Sequence, residues 1–90
     1  MIFLTYALLI SDDCQDQIRK HCKKNSVLEQ AISKKVNQIL SDSYHFKPLR
    51  APLSNKRRVH ILGCFVLIYE IEENSKSVIL LRFAHHDDAY

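Results

Sequence analysis

The sequence predicts an α+β fold in the order β-α-α-β-β-β, a helical hairpin packed on a small, twisted, mainly antiparallel sheet. Three observations lead to it. An apolar run opens the chain and stops at an oxygen-rich helix start; two amphipathic stretches follow with almost nothing between them; three β-type runs separated by short turns close it. Ninety residues make a single domain, 1–90, with room for one modest core.

The opening run, Ile2-Phe3-Leu4-Thr5-Tyr6-Ala7-Leu8-Leu9-Ile10, reads as a buried strand. It lacks a basic flank and a small-residue cleavage site, and it falls short of the ~18 apolar residues of a membrane span. Ser11, Asp12 and Asp13 then mark a helix start, with a hydroxyl to cap the first turn and two carboxylates near the positive end of the helix dipole. Cys14, Ile18, His21 and Cys22 share one face, Lys23 and Lys24 suit the negative end, and Asn25 breaks the helix. Ser26-Val27-Leu28-Glu29 has the form of a capping box, with Ser26 as the cap of a second helix. Leu28, Ile32, Val36, Ile39 and Leu40 form its buried stripe. So tight a join makes the two helices a hairpin, which needs a sheet to cover.

From Asp42 to about Asn55 the chain reads as a loop, because Pro48 and Pro52 exclude regular helix and do not suit a central strand. Arg57 to Leu62 alternates, with Arg58 and His60 on one face and Val59 and Ile61 on the other. Leu62-Gly63 supplies a turn. The run from Cys64 to Ile71 is apolar enough for a central strand covered on both faces, with Tyr69 in the core and its hydroxyl bonded at an edge. Glu73-Asn74-Ser75 turns the chain into a last strand, Val78 to Phe83.

Composition narrows the function. There are three cysteines, an odd number, and Cys14 and Cys22 stand about 12 Å apart along one helix at 1.5 Å per residue. The expectation is three reduced, mostly packed thiols in a cytoplasmic protein, with no disulfide framework. Net charge is +3, but its distribution says more than its sum. No acidic residue stands between Ser43 and Tyr69, where Lys47, Arg50, Lys56, Arg57 and Arg58 supply +5, and the remainder of the chain carries −2. Such a patch suits a polyanion, nucleic acid above all; an acidic protein partner or a solvated loop are the alternatives.

The closing stretch, Phe83-Ala84-His85-His86-Asp87-Asp88-Ala89-Tyr90, looks like a metal cluster. On an extended strand, however, adjacent residues point to opposite sides, so His85 and His86 do not share an ion, and no second ligand cluster exists to complete a zinc site. Neither metal nor cofactor is expected. If the last three strands form an antiparallel meander, the end of the last one lies near the start of the strand beginning at Arg57. Arg58, His60 and His86 then share a surface, with Lys47 added from the loop. Two histidines among cations are what metal-free RNA cleavage needs. One takes the 2′-hydroxyl proton, the other protonates the leaving 5′-oxygen, and a cation holds the charge on phosphorus.

Together these pieces resemble the RelE/ParE toxin superfamily over essentially the whole chain. The resemblance is carried by the helical hairpin, Phe46-Lys47-Pro48-Leu49-Arg50, Arg57-Arg58-Val59-His60-Ile61, Gly63-Cys64-Phe65-Val66-Leu67-Ile68-Tyr69 and the closing His86-Asp87-Asp88-Ala89-Tyr90. It implies a type II toxin neutralised by a small, acidic, RelB-like antitoxin. RelE-like members cut messenger RNA in the ribosomal A site without a metal; ParE-like members poison DNA gyrase. Many RelE-like members carry an arginine where this chain has Val66. The YafQ-like branch has an apolar residue there and histidines at the places of His60 and His86, and is the closer match. Where that branch has a further histidine and an aspartate, this chain has Lys47 and Cys64. The resemblance thus implies an mRNA endonuclease with His60, His86, Arg58, Lys47 and Tyr90 in the catalytic site and Arg50, Lys56 and Arg57 on RNA backbone. A ParE-like gyrase inhibitor, or a degenerate toxin that only binds its antitoxin, are the alternatives.

Overall fold

The computed structural model describes residues 6–46, 48 and 56–85. The expected site positions Lys47, Arg50, His86 and Tyr90 lie outside the described residues. The elements run β1 (Ala7–Ile10), α1 (Asp12–Cys22), α2 (Ser26–Ser41), β2 (Lys56–Ile61), β3 (Phe65–Glu72) and β4 (Ser77–His85). The strands make one sheet in the order β1-β4-β3-β2, with β1 parallel to β4 and the other neighbours antiparallel. The predicted element order and mainly antiparallel pairing both stand.

Ser11 joins the first two elements. Its hydroxyl accepts the Cys14 N–H at 3.1 Å and donates to the Leu81 carbonyl at 2.9 Å, while its own N–H donates to the Leu80 carbonyl at 2.9 Å. One residue thus caps α1 and pins its start to β4. The cap of α2 differs from the sequence reading. Asn25, not Ser26, is the cap: its side chain accepts the Leu28 N–H at 3.1 Å, and Ser26 is already helical. α1 itself ends at Cys22, with Lys23 as its C-cap, so Asn25 lies past its end and its amide oxygen, three residues before Leu28, starts the next helix.

The core lies between the hairpin and one sheet face. Cys14 of α1 and Leu28, Ile32 and Ile39 of α2 meet Val59, Ile61, Leu67, Tyr69, Val78, Leu80 and Phe83. At one end Phe65 and Phe83 stack with centroids 5.2 Å apart, and the His21 ring stands edge-on to both. His21 is therefore a half-buried packing residue, as its place on the helix face suggests. At the other end the buried Tyr69 hydroxyl donates to the Ser43 carbonyl at 2.8 Å, and Ser43 donates to the Ile39 carbonyl at 2.8 Å, fastening the exit of α2 to the sheet.

Two expectations are corrected. The described part of β1 is an edge strand rather than a buried one, with Leu9 53% exposed. Leu8 and Ile10 border an open groove with Ile18, Ile32, Val36 and Leu80. Cys64 lies in the β2–β3 turn, not in a strand, and is exposed. That turn spans residues 62–64, since Ile61 pairs with Phe65. Leu62 and Gly63 both take positive φ, 56° and 73°, the backbone sign of the primed hairpin turns that match strand twist.

Candidate functional site

Strand pairing sorts the side chains of the sheet. In β2 the buried Val59 and Ile61 point to the helices, so Lys56, Arg58 and His60 point to the opposite face, which the helices leave open although Val66 and Ala84 beside His60 are buried. The register extends this face across two more strands. Arg58 pairs with Ile68, which pairs with Arg82; His60 pairs with Val66, which pairs with Ala84. Arg58 and Arg82 thus stand abreast, about 10 Å apart at the backbone for strands spaced about 4.8 Å. His60 is one side-chain repeat further along, and both His60 and Arg82 are exposed.

A bulge brings Arg82 to this face. From Ser77 to Leu80 the β4 residues pair with β3 in one register; beyond the irregularity at Ile68/Tyr69 the register moves by one, and Leu81 is the extra residue. A one-residue slip reverses every side chain beyond it. Continued unshifted, the register would set Arg82 opposite Leu67 on the helix side; with the bulge Phe83 fills the core and Arg82 faces outward. Sequence reading gave Arg82 no role. Its one sequence signal is a single cation within an apolar strand.

The meander relation is also corrected. Strands β2 and β4 both run antiparallel to β3, so the end of β4 lies at the level of the end of β2, where Phe65 pairs with both Ile61 and His85, rather than beside Arg57. His60, not Arg57, therefore stands level with the end of β4. His85 itself belongs to the helix side, with its ring edge-on to Phe65 at 5.5 Å.

The remaining cations divide. Lys56 Nζ lies 3.1 Å from Glu70 Oε1 across the strand pair, with both side chains more than half buried. Arg57 turns away from the open face: its guanidinium donates to the Phe46 carbonyl at 2.6 Å and lies 4.9 Å from the centre of the Tyr44 ring. His45, in the loop after α2, packs against Phe46 and has Nδ1 3.9 Å from an Asp42 oxygen. Burial pushes the Tyr69 hydroxyl up to about 12, so at neutral pH it keeps the proton it donates to Ser43. Among the described residues, no three His, Cys, Asp or Glu side chains converge on a point that would hold a metal.

Two arginines and a histidine thus share one face of the sheet, side-chain types whose N–H groups suit phosphate oxygens. Comparison with known proteins gives the family and the fold. Residues 3–90 match the sequence model of a family described as the ParE toxin of type II toxin–antitoxin systems, parDE. A protein of Methanocaldococcus jannaschii bearing the toxin name RelE4 is 38% identical over 85 residues, covering 94% of this chain and 90% of that one. Among solved structures, the RelBE2 toxin–antitoxin complex of Mycobacterium tuberculosis contains a chain similar at a TM-score of 0.72 and 20% identity, covering 90% and 98% of the two chains. The intact Escherichia coli RelBE complex gives 0.76 and 14%, covering 89% and 95%.

Proposed function

The chain belongs to the ParE toxin family of type II toxin–antitoxin systems, and from that premise we propose that it is an endonuclease that cuts messenger RNA in the ribosomal A site. The observation that carries this reading is the open sheet face on which Arg58, His60 and Arg82 stand together. Arg58 and Arg82 bind the scissile phosphate from two sides and neutralise the charge that builds on its oxygens. His60 and His86 divide the proton transfers. One removes the proton as the 2′-oxygen attacks phosphorus; the other protonates the 5′-oxygen as its bond to phosphorus breaks, leaving a 2′,3′-cyclic phosphate and a 5′-hydroxyl. Both protons are accounted for within the histidine pair, and no metal enters the step. Lys47 adds a phosphate contact, Tyr90 stacks on a base, and Arg50 and Lys56 hold RNA backbone.

The test is purified toxin added to ribosomes programmed with messenger, comparing wild type with Arg58→Ala, Arg82→Ala, His60→Ala and His86→Ala. Cleavage falling about 100-fold or more in each histidine variant is the expected result. Equal cutting by all would reject the site, and no cutting by folded wild type would reject the nuclease reading. The ParE description of the matching family favours a second reading, gyrase inhibition without catalysis. Gyrase inhibition that survives His60→Ala and His86→Ala, with messenger left intact, would establish it in place of the first.

Protein partnership follows the family. The RelBE and RelBE2 chains are held in toxin–antitoxin complexes, and the apolar groove beside β1 is a surface of the kind such a partner covers. A small acidic antitoxin is the proposed partner, expected to co-purify with this chain when the two are co-expressed.

A further inference from the structure

We propose that Arg57 is a positioning residue, which acts by holding the Tyr44–Pro48 loop against β2 and not by gripping RNA phosphate. The proposal rests on the nuclease reading above for its functional consequence, and on geometry for its mechanism.

Arg57 sits between two neighbours that face the open side, Lys56 and Arg58, so strand alternation sends its side chain the other way. There it makes three connections to one short stretch of chain. Its Nη1 donates to the Phe46 carbonyl at 2.6 Å, its guanidinium carbon lies over the Tyr44 ring 4.9 Å from its centre, and its backbone forms a bridge with Pro48. Phe46 and Pro48 are the chain neighbours of Lys47, so the two residues flanking that lysine are both tied to Arg57. The loop is held from other sides as well. Tyr69 donates to the Ser43 carbonyl at 2.8 Å, and burial, with a hydrogen bond to the Glu73 carboxylate, raises the Tyr44 phenol. A planar guanidinium donates and stacks at once; a lysine ammonium carries the same charge without that fork. Pro48 itself has no backbone N–H to donate to β2, which leaves more of the attachment to Arg57.

Two roles for Arg57 then separate on one pair of variants. A phosphate-binding Arg57 would be replaced tolerably by lysine, whereas a loop-holding Arg57 would not. The experiment compares Arg57→Lys, Arg57→Ala and Arg58→Ala in three measurements: messenger cleavage on the ribosome, the salt dependence of binding to programmed ribosomes, and amide hydrogen exchange in peptides spanning residues 42–48. Melting by circular dichroism checks that each variant is folded.

Expected for Arg57→Lys and Arg57→Ala alike is a 10–100-fold loss of cleavage rate, an unchanged salt slope, and faster exchange in 42–48. Arg58→Ala should instead flatten the salt slope by about one phosphate contact and leave that exchange as in wild type. Near-wild-type cleavage by Arg57→Lys, or a flattened slope in Arg57→Ala, would overturn the proposal and make Arg57 an RNA contact. If folded wild type does not cut messenger, the nuclease reading fails separately. Exchange then decides alone, and unchanged protection of 42–48 in Arg57→Ala overturns the proposal.

Discussion

Leu62 and Gly63 hold the two left-handed positions of the β2–β3 turn, and they differ in what they lose there. A leucine with φ of 56° pays roughly 1–2 kcal/mol that glycine avoids and asparagine largely avoids. Leu62 is also 52% exposed and contributes little to the core. Leu62→Asn should therefore stabilise the fold by up to about 1 kcal/mol, read as a higher urea midpoint with an unchanged slope. Gly63→Ala should cost about 1 kcal/mol through backbone strain alone, because nothing lies within 4 Å of the added Cβ. The cysteines separate equally clearly. Burial, aided by Asp13, pushes the Cys14 thiol up to about 11, and burial with Glu29 raises Cys22 too, whereas Cys64 stands exposed at the turn. Alkylation of the native protein at pH 8, followed by mass spectrometry, should modify Cys64 first and Cys14 last. Labelling of Cys14 at the rate of Cys64 would contradict the buried placement.

At the scale of elements, helix starts show how far local pattern reaches. Ser11 was legible because a cap acts within three residues and needs nothing from the rest of the chain. The start of α2 was placed one residue late, because Asn25 and Ser26 are both good caps and only the backbone decides between them. Asn25→Ala should cost about 1 kcal/mol, and Ser26→Ala a few tenths, in chemical denaturation; the reverse order would restore Ser26 as cap. The bulge in β4 was not legible. Leu80-Leu81-Arg82-Phe83 alternates poorly in either register, and only the demand that both Leu80 and Phe83 fill the core forces the slip that turns Arg82 outward. Half of the proposed phosphate clamp was hidden for that reason. Arg58 and His60, on a strand without a bulge, were placed on one face by alternation alone.

Across the whole molecule, Tyr6, the β3–β4 turn and the loop after α2 meet at Glu73. The Tyr6 hydroxyl donates to that carboxylate at 2.5 Å, and Lys76 Nζ lies 3.4 Å from it. The Tyr6 bond lowers the Glu73 carboxyl below its ordinary 4.5, with help from Lys76 and Tyr44. A carboxyl lowered on folding adds stability that is complete above that ordinary value and is lost as pH falls through the lowered one. Melting temperature should therefore decline below about pH 4.5, and Glu73→Gln should melt lower than wild type at pH 7 and converge on it in acid, removing part of that slope. An identical acid slope in both proteins would deny Glu73 this role. Core packing sets the larger scale: Phe83→Ala, which removes a fully buried ring stacked on Phe65, should cost about 3–5 kcal/mol.

The sequence by itself determined the order of elements, the helix faces, the basic region between Ser43 and Tyr69 and the shared face of Arg58 and His60. Each of these depends on residues a few positions apart, where helical or strand periodicity suffices. The tertiary structure alone decided the rest. It made β1 an exposed edge, turned Arg57 to the loop and Arg82 to the open face, and brought the end of β4 level with His60. Those outcomes depend on which strands become neighbours and in which register, a choice made by burying apolar surface over the whole sheet at once and not by any local stretch of chain.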